Sequence, residues 1–141
     1  MNVVEDALNA GGPESYPHRM VFVVAESLVA VGGLAGAVQL VTGTFVPPVS
    51  DIERLGLKSW RLPGVWLLAS VAVPSGAAAW LAWRRSPAAP EAVLVASGLL
   101  AVELLVQIPL VGPSALQAVF GSTSAGLAGL AVHARRLGWR R

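Results

Sequence analysis

Residues 91 to 111 read EAVLVASGLLAVELLVQIPLV, and this run decides the class of the protein. It is almost entirely apolar. A helix of about 20 residues, rising about 1.5 Å per residue, crosses a hydrocarbon core about 30 Å thick. Two long polar side chains in its second half, Glu103 and Gln107, interrupt the run one helical turn apart. We therefore predict a membrane-spanning helix that carries a polar face.

Three further apolar runs of similar length lie at about residues 20–41, 63–83 and 113–132. Hydrophobic residues make up 55% of the 141-residue sequence and charged residues only 13%, whereas about a quarter of a soluble domain is charged. The predicted fold is an all-α membrane protein, with a four-transmembrane-helix bundle at residues 20–134. We expect residues 1–19 to form a disordered cytoplasmic tail and residues 135–141 a basic cytoplasmic tail.

The connection between the first two spans, residues 42–62, is long and contains a sequence typical of a helix start. Residues 50–53, SDIE, have the spacing of a capping box, in which a serine and an acidic side chain satisfy backbone groups at a helix N-terminus. One side of the segment is apolar and carries Ile52, Leu55, Leu57 and Trp60. We predict a short amphipathic helix here that lies on the membrane surface.

Basic residues are distributed unequally between the two sides of the predicted bundle. Seven lie on the side of both termini: Arg19, Arg84, Arg85, Arg135, Arg136, Arg140 and Arg141. Three lie on the opposite side: Arg54, Lys58 and Arg61. Basic residues favour the cytoplasmic side, so we expect a multi-pass protein of the cell membrane with both termini in the cytoplasm. The tryptophans fall near span ends, as in an aromatic belt: Trp60, Trp66, Trp80, Trp83 and Trp139.

Cysteine is absent from the sequence, which excludes disulfide frameworks, thiolate nucleophiles and cysteine-based metal or redox sites. We expect no metal and no other cofactor, because His133 stands alone at the inner end of the fourth span and His18 lies in the N-terminal tail. The basic excess is a topology signal, and no nucleic-acid partner is expected.

Polar residues within spans are costly unless they face protein or water, so each is a functional candidate. The five candidates are Glu26, Gln39, Glu103, Gln107 and Gln117. Their depths predict one outward-facing cavity beneath residues 42–62, lined by Glu103, Gln107, Gln117 and Gln39. Glu26 lies nearer the cytoplasmic side, on nearly the opposite helix face from Gln39.

Several functions compete for these residues. In the leading hypothesis Gln107, Gln117 and Gln39 are ligand-binding residues for a lipid-like or apolar small molecule, or the protein is an accessory subunit. In a second hypothesis, Glu103 and Glu26 are the catalytic acid and base of an intramembrane isomerase or cyclase. Burial in a low dielectric favours a neutral carboxyl, which can then act as a general acid or base. Proton-coupled transport is a third. A purely structural hydrogen-bonded cluster also fits the pattern. The expected partners are membrane lipid or an apolar small molecule, and a membrane protein or a second copy of the chain.

Small residues and a proline predict how the helices pack. Gly32 and Gly36 form a small-xxx-small pair in the first span, where another helix can approach closely. The fourth span has a comparable small-residue face, formed by Gly121, Ser124, Ala125 and Ala128. Residues 74–76, PSG, predict a kink or a local break in the second span.

Three short stretches within residues 27–83 carry a resemblance to a known family. They are GAVQL at 36–40, IERLGL at 52–57 and the Pro63-Gly64 pair. Together they resemble the DoxX-like family of small four-span membrane proteins, which often has Lys or Arg where this chain has Gln39. The resemblance implies the four-span architecture and a membrane redox or accessory role. Small multidrug transporters are similar in having four spans and a glutamate in the first, but their loops are shorter than residues 42–62.

Overall fold

A computed structural model describes residues 16–44, 47–112 and 114–139 of the chain. Its four long helices are α1 (Arg19–Thr42), α2 (Arg61–Trp83), α3 (Ala89–Val111) and α4 (Ala115–Arg136). All four are long and apolar enough to cross a membrane. The predicted all-α four-helix architecture is therefore confirmed, and the helices agree closely with the predicted spans.

The helices pack in chain order, α1 on α2, α2 on α3 and α3 on α4, while α1 touches α4 only lightly. Small side chains fill most of the core near the chain termini, among them the fully buried Ala78, Ala82 and Ala131. Small residues let helix backbones approach closely, which is the main source of attraction between helices in lipid. A second, smaller core around Val71 and Leu100 lies toward the other end.

The second span contains a local break, as its Pro74 predicts. Leu68–Ala72 form a π-helical turn immediately before the segment that contains this proline. Proline lacks an N–H, and its ring clashes with the carbonyl group four residues earlier, so a regular α-helical turn is unfavourable at this point. The wider turn relieves the clash, and Ser70 Oγ donates a hydrogen bond to the Trp66 carbonyl oxygen at 2.7 Å.

The segment between α1 and α2 does not form the predicted amphipathic α-helix. It contains two short 3₁₀ turns, Val49–Asp51 and Glu53–Leu55, and neither has a side-chain cap. The capping box predicted at residues 50–53 is therefore wrong. Gly56, with φ of +74°, ends the second turn after a few residues, which is too short a run for an α-helix.

This segment nevertheless covers one end of the bundle. Ile52 is fully buried, and the Trp60 indole N–H donates to the Pro47 carbonyl oxygen at 2.8 Å, which ties the two ends of the segment together. Arg54 Nη2 donates to the Pro109 carbonyl oxygen of α3 at 2.8 Å. We call residues 47–60 the cap.

At the opposite end, the two ends of the described chain meet. The His18 and His133 rings lie 2.9 Å apart between Nε2 and Nδ1, and the Tyr16 and Trp139 rings pack edge to face. The Trp139 indole also donates to the Ser86 carbonyl oxygen. The prediction that His133 stands alone is therefore wrong. The described parts of both predicted tails pack on the bundle. The predicted tails at residues 1–15 and 140–141 lie outside the described residues, and the cytoplasmic location stays a prediction.

Candidate functional site

Glu103, near the middle of α3, is the centre of a small polar cluster. Its side chain is 8% exposed. Oε1 accepts a hydrogen bond from Gln107 Nε2 at 3.1 Å, as expected for side chains four residues apart on one helix. Oε2 accepts a shorter hydrogen bond, 2.6 Å, from the Trp66 indole of α2. Both carboxyl oxygens are thus held by neutral donors from two helices.

Trp66 is the site residue that sequence reasoning missed, because its position near a span end suggested a place in the aromatic belt. The residue is 54% exposed, as in an aromatic belt, and its N–H also donates a hydrogen bond to Glu103. An indole N–H within a span has no water to donate to, so it requires a protein acceptor. That requirement is the signal that could have paired Trp66 with an acidic residue in a neighbouring span.

A cavity of about 620 Å³ lies beside this cluster, between the cap, α2 and α3. Its walls are mainly apolar. Glu103 and Gln107 are the carboxyl and amide side chains among its lining residues. Val65 and Val106 belong to its rim and are about half exposed on the outer surface of the bundle. The cavity is therefore partly open at the apolar outer surface of α2 and α3.

A second cavity, of about 300 Å³, lies on the other side of Glu103, among all four helices. Gln107 and Gln117 both line it, so the structure brings Glu103, Gln107 and Gln117 to one cavity, as the helix spacing predicts. Gly32 and Gly36 of α1 form part of the opposite wall. Glu103 and Gln107 thus border both cavities.

Gln117 has a structural role that the sequence analysis did not assign to it. Its Oε1 accepts from the Ser114 backbone N–H at 3.0 Å, and Ser114 Oγ accepts from the Gln117 backbone N–H at 3.3 Å. This is a capping box at the start of α4. The amide is therefore engaged at the helix end, although the side chain borders the smaller cavity.

We expect Ser114→Ala and Gln117→Ala to lower the free energy of unfolding by similar amounts, about 1 kcal/mol each, because each removes half of the capping box. Unfolding in a detergent titration measures this. The double variant should lower the free energy of unfolding by less than the sum of the two single variants, since both substitutions disrupt the same capping box. A strictly additive double variant would show that the two side chains act independently.

Gln39 does not join the cluster. It is exposed near the end of α1, where Gly43, with φ of +76°, terminates the helix and donates its N–H to the Gln39 carbonyl oxygen. Gln39 lines neither of the two cavities. The predicted ligand-binding position of Gln39 is therefore not reproduced, since the residue lies on the outward face of the last turn.

Glu26 is separate from the Glu103 cluster, as its depth and helix face predict. It is 1% exposed within the core and lines neither cavity. The Ser75 hydroxyl of α2 faces it. Among the described residues, neither Glu26 Oε1 nor Ser75 Oγ has a hydrogen-bond partner. The two buried carboxyls thus differ: Glu103 is hydrogen-bonded beside cavities, whereas Glu26 has an unsatisfied oxygen in a packed interior.

Within residues 16–44, 47–112 and 114–139, no group of three or more His, Cys, Asp or Glu side chains is placed to hold a metal ion. The resemblance to DoxX-like proteins stays a prediction. Comparisons of the chain with protein-family models, with curated proteins and with solved structures find no match.

Proposed function

We propose that this small integral membrane protein binds a lipid-like, apolar molecule in the larger cavity, with Glu103 and Gln107 as its polar anchors. The observation that carries the proposal is the cavity itself. Its volume of about 620 Å³ is in the range of ligand sites, which are typically about 300–1,000 Å³, mostly apolar and supplied with a few fixed polar groups.

The position of the opening supports a ligand that enters from the membrane. Half-exposed apolar side chains such as Val65 form the rim, so an apolar molecule reaches the cavity without crossing water. The cap closes the end of the cavity and is held to α3 through Arg54. An apolar tail would then lie against the cap and α2, while a polar head reaches Glu103.

The polar anchors are fixed before a ligand arrives. The Trp66 indole holds one oxygen of Glu103 and the Gln107 amide holds the other. Orienting a polar group in advance lowers the cost of ordering it on binding. This arrangement favours recognition of one polar group on an otherwise apolar molecule.

A photoreactive long-chain alcohol tests the proposal in neutral lipid nanodiscs. We expect saturable labelling of residues that line the larger cavity, competed by the unlabelled alcohol. The double variant Glu103→Ala/Gln107→Ala should weaken apparent binding about tenfold, because two hydrogen-bonding groups together contribute about 1.4 kcal/mol.

Gln39→Ala is the matched control, because it removes an exposed glutamine amide from the same half of the bundle. It should leave the saturable labelling unchanged. Labelling that never saturates, or that covers all lipid-facing helix surfaces equally, would show that the cavity has no preferred occupant and would remove the proposal.

A further inference from the structure

The Glu103 carboxyl has no cationic partner in the described part of the chain. Its hydrogen bonds come from an indole and an amide, which are both neutral. An ion pair in the described segments joins Arg135 to Glu91 at 3.4 Å, and neither residue lines a cavity with Glu103. None of the described residues that line either cavity is Lys, Arg or His.

The hydrogen bonds around Glu103 use both of its carboxyl oxygens as acceptors. A carboxylate accepts hydrogen bonds and donates none, and in this structure both oxygens accept. The Trp66 indole can only donate, so the short bond to Oε2 requires an acceptor there. A negative charge in an apolar surrounding is costly unless an opposite charge lies beside it. None of the described residues that line either cavity supplies such a charge beside Glu103.

The larger cavity offers two features that together suit a cation with a hydrophobic body. Trp60 and Trp66 both line it, and the face of an indole attracts a cation within about 6 Å of the ring. The remaining wall is mainly apolar, which excludes a strongly hydrated ion such as a free metal cation and accommodates a hydrocarbon body. Charge complementarity and wall chemistry thus indicate the same kind of molecule.

We propose that the ligand of the larger cavity is a hydrophobic monocation, an amphiphile whose single protonated amine pairs with Glu103 while its apolar body fills the space under the cap. This inference rests on the proposed function, since it assumes that the cavity binds an apolar molecule. It adds the chemical class of the head group, which the proposed function leaves unspecified.

Three probes that share a twelve-carbon alkyl tail test which head group the cavity prefers: dodecylamine, dodecanol and dodecanoate. Binding is measured to the full-length protein in phosphatidylcholine nanodiscs, with empty nanodiscs as the blank. We expect the amine to bind at least about tenfold more tightly than the alcohol, since close charge pairs contribute about 1.5 kcal/mol or more. Dodecanoate should bind more weakly than either.

Glu103→Gln should remove the preference for dodecylamine and leave dodecanol binding nearly unchanged, because the substitution removes the charge and keeps the shape. Glu103→Asp keeps the charge and should retain the preference. The comparison of probes on the unmodified protein stands even if a variant fails to fold.

The outcomes separate the two proposals. Equal binding of amine and alcohol would overturn the cationic ligand and leave the proposed function intact. An amine preference that survives in Glu103→Gln would also overturn it. Failure of all three probes to bind above the empty nanodiscs would instead overturn the proposed function.

Discussion

Leucine in place of Gly64 is expected to lower the free energy of unfolding by about 3 kcal/mol, the upper part of the range for an overfilled contact. Gly64 lies where α2 crosses the end of α1. A Cβ atom at this position would lie 2.9 Å from Val41 Cγ2, 3.0 Å from Leu40 Cβ and 3.0 Å from the Ala37 carbonyl oxygen. The carbonyl belongs to the α1 backbone and cannot rotate away, so the two helices must separate.

Gly98→Leu is the matched control. Gly98 lies within α3, and nothing is found within 4 Å of a Cβ atom added there, so leucine meets no obstacle. Leucine also has a better helix propensity than glycine, and this control should be neutral or slightly stabilising. Both variants are compared by unfolding in a detergent titration. A Gly64→Leu protein as stable as the Gly98→Leu protein would show that α1 and α2 do not approach closely at this point.

Gly64→Leu is also expected to disturb the larger cavity. Leu40 of α1 and Pro63 of α2, which lie at this helix contact, both line that cavity. Loss of ligand binding in Gly64→Leu would therefore report on packing, and binding should be compared only among variants of equal stability.

The four spans could be predicted because their length and apolar composition are local properties of the chain. Each run is long and apolar enough to cross a bilayer on its own, and the basic residues lie at or beyond its ends. The pairing of Glu103 with Gln107 was equally local, because helix geometry places residues four apart side by side. In contrast, the Trp66–Glu103 bond depends on how α2 is rotated against α3, which follows from packing between helices.

The two serine-initiated motifs show why a local pattern can mislead. Residues 50–53 and 114–117 both have the spacing of a capping box, but only the second forms one. After Ser114 a long apolar run continues the helix, whereas after Ser50 the chain reaches Gly56 within two turns. A capping residue stabilises a helix that the following residues already favour, but it does not create a helix by itself.

The contact between the two ends of the described chain could not be predicted either. Trp139 fits an aromatic belt by position, yet it is buried against Tyr16 and bonded to Ser86. These partners are far apart in sequence and become neighbours only after all four helices have assembled. The pairing of His18 with His133 has the same origin.

Glu26→Leu is expected to raise the free energy of unfolding by about 2 kcal/mol, the size of the desolvation penalty of a buried polar group without a partner. Glu26 Oε1 has no such partner among the described residues, and the side chain is 1% exposed in a core that includes Phe22. Leucine has a similar volume and no polar atom. Of the polar atoms at this contact, only the Ser75 hydroxyl would then remain unsatisfied.

Glu103→Leu is the matched comparison, and its effect should have the opposite sign. It removes the same carboxyl group from another span, but it leaves the Trp66 N–H and the Gln107 amide without their acceptor, at a cost of about 2 kcal/mol. Both variants are compared with the unmodified protein by unfolding in one detergent system. If Glu26→Leu destabilises the protein as much as Glu103→Leu does, then Glu26 has a stabilising partner in the folded bundle. A stabilised Glu26→Leu protein would instead show that the Glu26 carboxyl opposes folding.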